Sequence, residues 1–125
     1  MYMKKISIYF LLTFLMLSVT MLKAQDVVVG DTSALSQGKA MELYNNGINQ
    51  LNSNYLQGAI ESFNQAIELY PEFEKAYFNR GSVKFQMKDY QGAMTDFNKV
   101  VELNPDSNKA HFLRGRIYYE MKDYE

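Results

Sequence analysis

The chain has 125 residues, 47% of them hydrophobic and 22% charged, with a formal net charge of −1; this fits one modest globular domain and excludes a disordered polyelectrolyte. There is no cysteine and a single histidine, which excludes a disulfide framework, a thiolate nucleophile, a cysteine-ligated zinc site and a lipid-bearing cysteine. With Lys4, Lys5 and Lys23 of the N-terminal segment set aside, ten basic residues face fourteen acidic ones from Gln25 onward, a balance that argues against nucleic acid as a partner.

The first element is a leader. Residues 1–5, "MYMKK", are basic, and the uncharged run "ISIYFLLTFLMLSVTML" occupies 6–22. That pattern reads as a bacterial secretory signal peptide over 1–24, with Ala24 in "LKAQ" as the last residue removed. The same run, left uncleaved, reads as a membrane anchor whose two lysines hold the N-terminus on the cytoplasmic side. Both readings export the body of the chain to the periplasm or cell envelope, or into the medium. A membrane contact is expected only if the anchor is kept.

Residues 25–38, "QDVVVGDTSALSQG", are small, polar and turn-rich apart from three valines. They read as a linker, with a helix starting near Thr32 or Ser33 as its cap.

From residue 40 the chain repeats itself at a shift of 34. Residues 40–73 match 74–107 at ten of 34 positions, and 74–91 match 108–125 at nine of 18. Gly47 falls on Gly81 and Gly115, Ala59 on Ala93, Phe63 on Phe97 and Pro71 on Pro105 without a gap. The copies are two full repeats, 40–73 and 74–107, and a truncated third, 108–125. Each full copy holds two apolar stretches of helical period separated by a polar turn, such as "MKDY" at 87–90. Ala93, Phe97, Val100 and Val101 make one stripe, and Ala59, Phe63, Ala66 and Ile67 make the same stripe one copy earlier. Each unit is therefore expected to be an antiparallel helical hairpin, its second helix ended by Pro71 or Pro105. A glycine inside a helix costs about 0.5 to 1 kcal/mol against alanine, so Gly47 and Gly81 imply a close approach, expected against Ala59 and Ala93.

The 34-residue period, with Gly at the eighth position, Ala at the twentieth, Phe at the twenty-fourth and Pro at the thirty-second, resembles the tetratricopeptide repeat family over 40–125. The fourth position, often Trp in the family, holds Leu43, Tyr77 and His111; the seventh, often Leu, holds Asn46, Arg80 and Arg114; the eleventh, often Tyr, holds Gln50, Lys84 and Tyr118. The resemblance implies an all-α solenoid of two full hairpins plus the first helix of a third. "MKDY" recurs at 121–124, where the register places another turn, so the third hairpin is expected to be broken and the chain to be a fragment of a longer repeat protein.

No catalytic site, cofactor or metal is expected. The single imidazole, His111, sits at the fourth repeat position and is read as an aromatic packed between helices. Glu61, Glu68, Asp96 and Glu102 lie on second helices beside polar neighbours and read as a solvated face.

The resemblance implies protein binding instead, in a concave groove formed by the first helices at repeat positions near 2, 5, 6, 9, 12 and 13. In this chain the candidate lining is Tyr44 and Ile48, then Lys75, Phe78, Asn79 and Ser82, then Lys109, Phe112 and Arg116, with Phe85 and Tyr119 shared between lining and packing. Such a groove suits a peptide segment with apolar anchors. Some family members grip a C-terminal carboxylate with a five-residue clamp; here only Asn79 and Lys109 match it, while Tyr44, Ile48 and Leu113 hold the other positions, so that specificity is not carried over. The leading expectation is a non-enzymatic envelope adaptor binding an unnamed protein or peptide; the alternative is the N-terminal recognition part of a longer enzyme or signalling receptor.

Overall fold

The computed structural model describes residues 32–122; the expected leader, most of the linker and the second "MKDY" turn lie outside the described residues. Two compact units are distinguished, Met1–Leu35 and Ser36–Glu125, and the repeats lie wholly in the second. The described residues form five helices: α1 over residues 32–52, α2 Leu56–Leu69, α3 Glu74–Gln86, α4 Tyr90–Leu103 and α5 Asn108–Lys122. No strand occurs among the described residues. α2 with α1, and α4 with α3, form two helical hairpins.

Residues 32–38, the part of the linker in which a helix start near Thr32 or Ser33 was expected, are helical, because Ala34, Leu35 and Gln37 run into the strong helix formers of 39–43 and Lys39 pairs with Glu42 at 2.9 Å, one turn on.

The turns within the hairpins have one construction. Asn54 and Lys88, 34 residues apart, both adopt the left-handed conformation, with φ of 58° and 63°. In the first, the N–H of Asn54 donates to Leu51 O at 2.9 Å and that of Tyr55 to Gln50 O at 2.8 Å; in the second, Lys88 donates to Phe85 O at 3.0 Å and Asp89 to Lys84 O at 2.9 Å. Each pair satisfies the last free carbonyls of the first helix. Asp89 then caps α4, its carboxylate accepting from Gly92 N at 2.9 Å. "MKDY" at 87–90 is therefore a helix stop, a left-handed residue, a cap and a helix start.

Between hairpins, α2 and α4 end two residues before Pro71 and Pro105. A reverse turn closed by Phe73 N to Tyr70 O, and by Ser107 N to Asn104 O, both 3.1 Å, feeds the next helix.

The core is a row of stripes from successive helices. Phe63 and Phe97 are fully buried, each worth about 1.5 to 3 kcal/mol of transfer free energy. Ala59 and Phe63 of α2 share a cluster with Val83 of α3. Ala93, Phe97 and Val100 of α4 share one with Ala110 and Ile117 of α5. The second helix of each hairpin thus packs both on its own first helix and on the next one.

The close approach at the glycines is real, but its partner differs from the expected alanine. A Cβ built on Gly47 would stand 2.6 Å from the Phe63 ring, and one on Gly81 would stand 3.0 Å from Asp96 Cβ and 3.2 Å from the Phe97 ring. Ala59 and Ala93 are fully buried in the clusters that join their own repeat to the following one. The helix crossing places the twenty-fourth residue, one turn beyond the twentieth, over the glycine.

Candidate functional site

The first helices α1, α3 and α5 carry the candidate groove residues. Nearest the N-terminal ends of α3 and α5, Glu74, Lys75, Phe78, Asn79, Ser107 and Lys109 line an open cavity of about 180 Å³. Lys75 and Lys109 are exposed and make no ion pair among the described residues. Glu74 is engaged, accepting from Asn104 Nδ2 at 3.2 Å. Phe78 supplies an apolar wall while its ring meets Phe97 edge-on at 5.7 Å. The cavity therefore offers two free ammonium groups beside an aromatic surface.

Four of the nine groove candidates, Lys75, Phe78, Asn79 and Lys109, come together in this cavity. Glu74 and Ser107 join them unforeseen, because they sit where one repeat gives way to the next and belong to no groove position.

The other candidates are placed differently. Tyr44, expected as an open groove aromatic, is half-buried, with ring centroids 5.7 Å from Phe63 and 5.0 Å from Phe73. Its hydroxyl accepts from Asn79 Nδ2 at 2.8 Å, which ties α1 to α3 and orients that amide. Ile48 packs against the Ala59, Phe63 and Val83 cluster. Ser82 turns inward on its own helix, its hydroxyl donating to Phe78 O at 2.8 Å. Arg116 lies over the Phe85 ring at 5.0 Å and stands 4.0 Å from Glu120. Phe112 is 68% exposed and Tyr119 likewise, so apolar surface open to a partner remains on α5.

A second constellation, between α3 and α4, corrects the reading of Asp96 as a solvated carboxylate. Asp96 is 1% exposed. Arg80 meets it through Nη2 at 2.5 Å and Nε at 3.0 Å, and Lys84 Nζ lies at 2.9 Å. The remaining arm of Arg80 donates from Nη1 to Asn64 Oδ1 of α2 at 2.6 Å, and the guanidinium lies 5.4 Å from the Tyr77 ring centre. Asp96 immediately precedes Phe97 and faces α3, so the cations at the seventh and eleventh repeat positions, 16 and 12 residues earlier, were the legible signal. Glu61, Glu68 and Glu102 are exposed, as expected. The charges are mutually satisfied in a network that ties α3 to α4 and α2, with no free group for acid or base work.

His111 is also corrected: it is exposed, and its Nε2 donates to the Pro105 carbonyl at 2.8 Å. Among the described residues no helix covers the face of α5 on which the fourth repeat position lies. Among the same residues there is no group of three or more His, Cys, Asp or Glu able to hold a metal, and no helix is long and apolar enough to cross a membrane.

An all-α array of 34-residue hairpins, cemented by Gly and Phe crossings, is the architecture of a protein-interaction solenoid. Tetratricopeptide repeat models match residues 44–73 and 74–107, together over half of the chain, and the chain belongs to the tetratricopeptide repeat family. Among solved structures it is similar to MamA, with 23% identity over 70% of this chain and 50% of that one and a TM-score of 0.67. The second tetratricopeptide domain of Spaghetti (RPAP3), solved with the HSP90 peptide SRMEEVD, is 18% identical over 74% of this chain and 85% of its own, with a TM-score of 0.70. The tetratricopeptide domain of Arabidopsis OM64 is 19% identical over 71% and 74%, with a TM-score of 0.67. The chain spans half the length of the MamA chain it matches. No curated protein matches.

Proposed function

We propose that the chain is a non-enzymatic adaptor of the bacterial cell envelope, exported by its leader, whose groove between α3 and α5 holds a peptide segment of another protein. The observation that carries this reading is the cavity in which the free ammonium groups of Lys75 and Lys109 flank the Phe78 ring. An acidic side chain beside an apolar anchor matches that pairing: the anchor covers Phe78 and the carboxylate settles between the lysines. The Spaghetti domain, of the same fold, was solved with an acidic peptide. In this chain Tyr44, Ile48 and Leu113 stand at three of the clamp positions, so an internal acidic residue suits the groove better than a free C-terminus.

The test is selection from a displayed library of random peptides on the immobilised full-length chain, followed by fluorescence polarisation of the winners. The expected winners place Asp or Glu next to an aliphatic or aromatic residue. Lys75→Glu with Lys109→Glu lowers their affinity by about tenfold or more at an unchanged melting temperature. Winners without an acidic residue, or affinity unaffected by the double substitution, contradict the reading. Mass measurement of the mature N-terminus tests export separately: loss of residues 1–24 is the outcome expected for a cleaved leader.

A further inference from the structure

The cavity of the proposed peptide contact also holds an acid. Glu74 lines it together with Lys75, Phe78, Asn79, Ser107 and Lys109, yet its carboxylate pairs with neither lysine. It accepts instead from Asn104 Nδ2 at 3.2 Å. Two ammonium groups and one carboxylate leave the cavity a single net positive charge.

This acid belongs to one junction of the array and is no property of the repeat. Position one holds Ala40, Glu74 and Asn108 in the three copies, and position thirty-one holds Tyr70 and Asn104 in the two full ones. In the first repeat Tyr70 meets Phe73, ring centroids 5.5 Å apart, and Ala40 is buried in the same cluster, so apolar contact serves at these positions. At the next junction Asn104 stands on a fixed backbone, its N–H donating to Val100 O at 2.8 Å and its carbonyl accepting from Ser107 N at 3.1 Å. That turn aims the Asn104 amide, and the amide holds Glu74 at the start of α3.

We infer that Glu74 is the specificity-determining residue of this cavity, tuning it to a single carboxylate and against a doubly charged group such as a phosphate ester, and that Asn104 is the positioning residue that keeps Glu74 from neutralising Lys75 or Lys109. The inference rests on the proposed peptide groove. One carboxylate matches the single net charge of the cavity. A phosphorylated side chain carries about −1.5 to −2 at neutral pH, which leaves negative charge uncompensated beside Glu74 and adds a larger desolvation cost. Released from Asn104, the Glu74 carboxylate is a competitor tethered beside the lysines, at an effective concentration that a dilute peptide does not reach.

The probes are fluorescein-labelled synthetic peptides Gly-Ser-Leu-X-Phe-Ser-Gly, amidated at the C-terminus, with X as Glu or phosphoserine, titrated with the full-length chain by fluorescence polarisation. The wild-type chain is expected to bind the Glu peptide at least as tightly as the phosphoserine peptide. Glu74→Gln keeps an acceptor for Asn104 and removes only the charge; it is expected to move the preference toward phosphoserine by about fourfold or more, because the gain grows with the charge of the ligand. Asn104→Leu is expected to weaken the Glu peptide by about threefold or more, and to have no such effect in the Glu74→Gln background, a rescue that a merely structural loss does not show. Thermal melts of the variants serve as the folding control. Lysine-dependent binding with a wild-type preference for phosphoserine, with a preference that Glu74→Gln leaves unmoved, or with an Asn104→Leu loss that persists without the Glu74 charge, overturns this inference and leaves the groove standing. Absence of saturable binding, or binding indifferent to Lys75→Glu with Lys109→Glu, overturns the groove and this inference with it.

Discussion

Helices α3 and α5 carry closely related sequences and live in opposite surroundings. Lys, Ala, Phe, Arg and Gly recur at 75, 76, 78, 80 and 81 and at 109, 110, 112, 114 and 115. On α3, Arg80 is locked to Asp96 and Asn64, and Gly81 lies under Phe97. On α5, Arg114 has a buried nitrogen without a partner among the described residues and Gly115 faces open space. A repeat position therefore fixes what a side chain is able to do, and the neighbouring helix decides whether it does it.

The largest contrast is expected at the phenylalanines. Phe97→Ala empties a fully buried site and is expected to cost about 3 to 5 kcal/mol in urea unfolding, whereas Phe112→Ala on the open side of α5 is expected to stay within about 0.5 kcal/mol. Next come the arginines. Arg80→Ala leaves Asp96 buried with Lys84 as its one remaining cation among the described residues, an expected loss of about 2 to 3 kcal/mol; Arg114→Ala removes an unpartnered donor and is expected to change stability by no more than about 0.5 kcal/mol. Equal costs at the two positions would mean that Arg114 has a partner in solution. Smallest is the turn: Lys88→Gly relieves a left-handed backbone and is expected to stabilise by up to about 1 kcal/mol, read as a rise in melting temperature.

Most of the fold was legible because its signals are local or periodic. The 34-residue spacing pointed to tandem helical hairpins, and the polar "MKDY" marked the turn, since a cap and a left-handed residue need only a few contiguous positions. The hidden features depend on how helices cross. The glycines announced a close approach without saying that Phe63 and Phe97 would fill it. Asp96 looked like a surface carboxylate until the crossing placed Arg80 and Lys84 against it. The groove was half legible: Lys75 and Lys109 project freely at the edge, but Tyr44 and Phe78 are drawn into the inter-helix packing by Phe73 and Phe97. Position within a repeat does not reveal how far a large ring leans inward.

Among the described residues one helix face is covered in the second repeat and open in the third, and the most direct measurement of that contrast is a paired thermal unfolding of Gly81→Leu and Gly115→Leu. The expected result is a loss of about 1 to 3 kcal/mol for Gly81→Leu, where the new side chain meets Asp96 and Phe97. No loss, or a gain of up to about 0.8 kcal/mol from better helix propensity, is expected for Gly115→Leu. Comparable destabilisation at the two glycines would contradict the contrast and place a packed neighbour on α5.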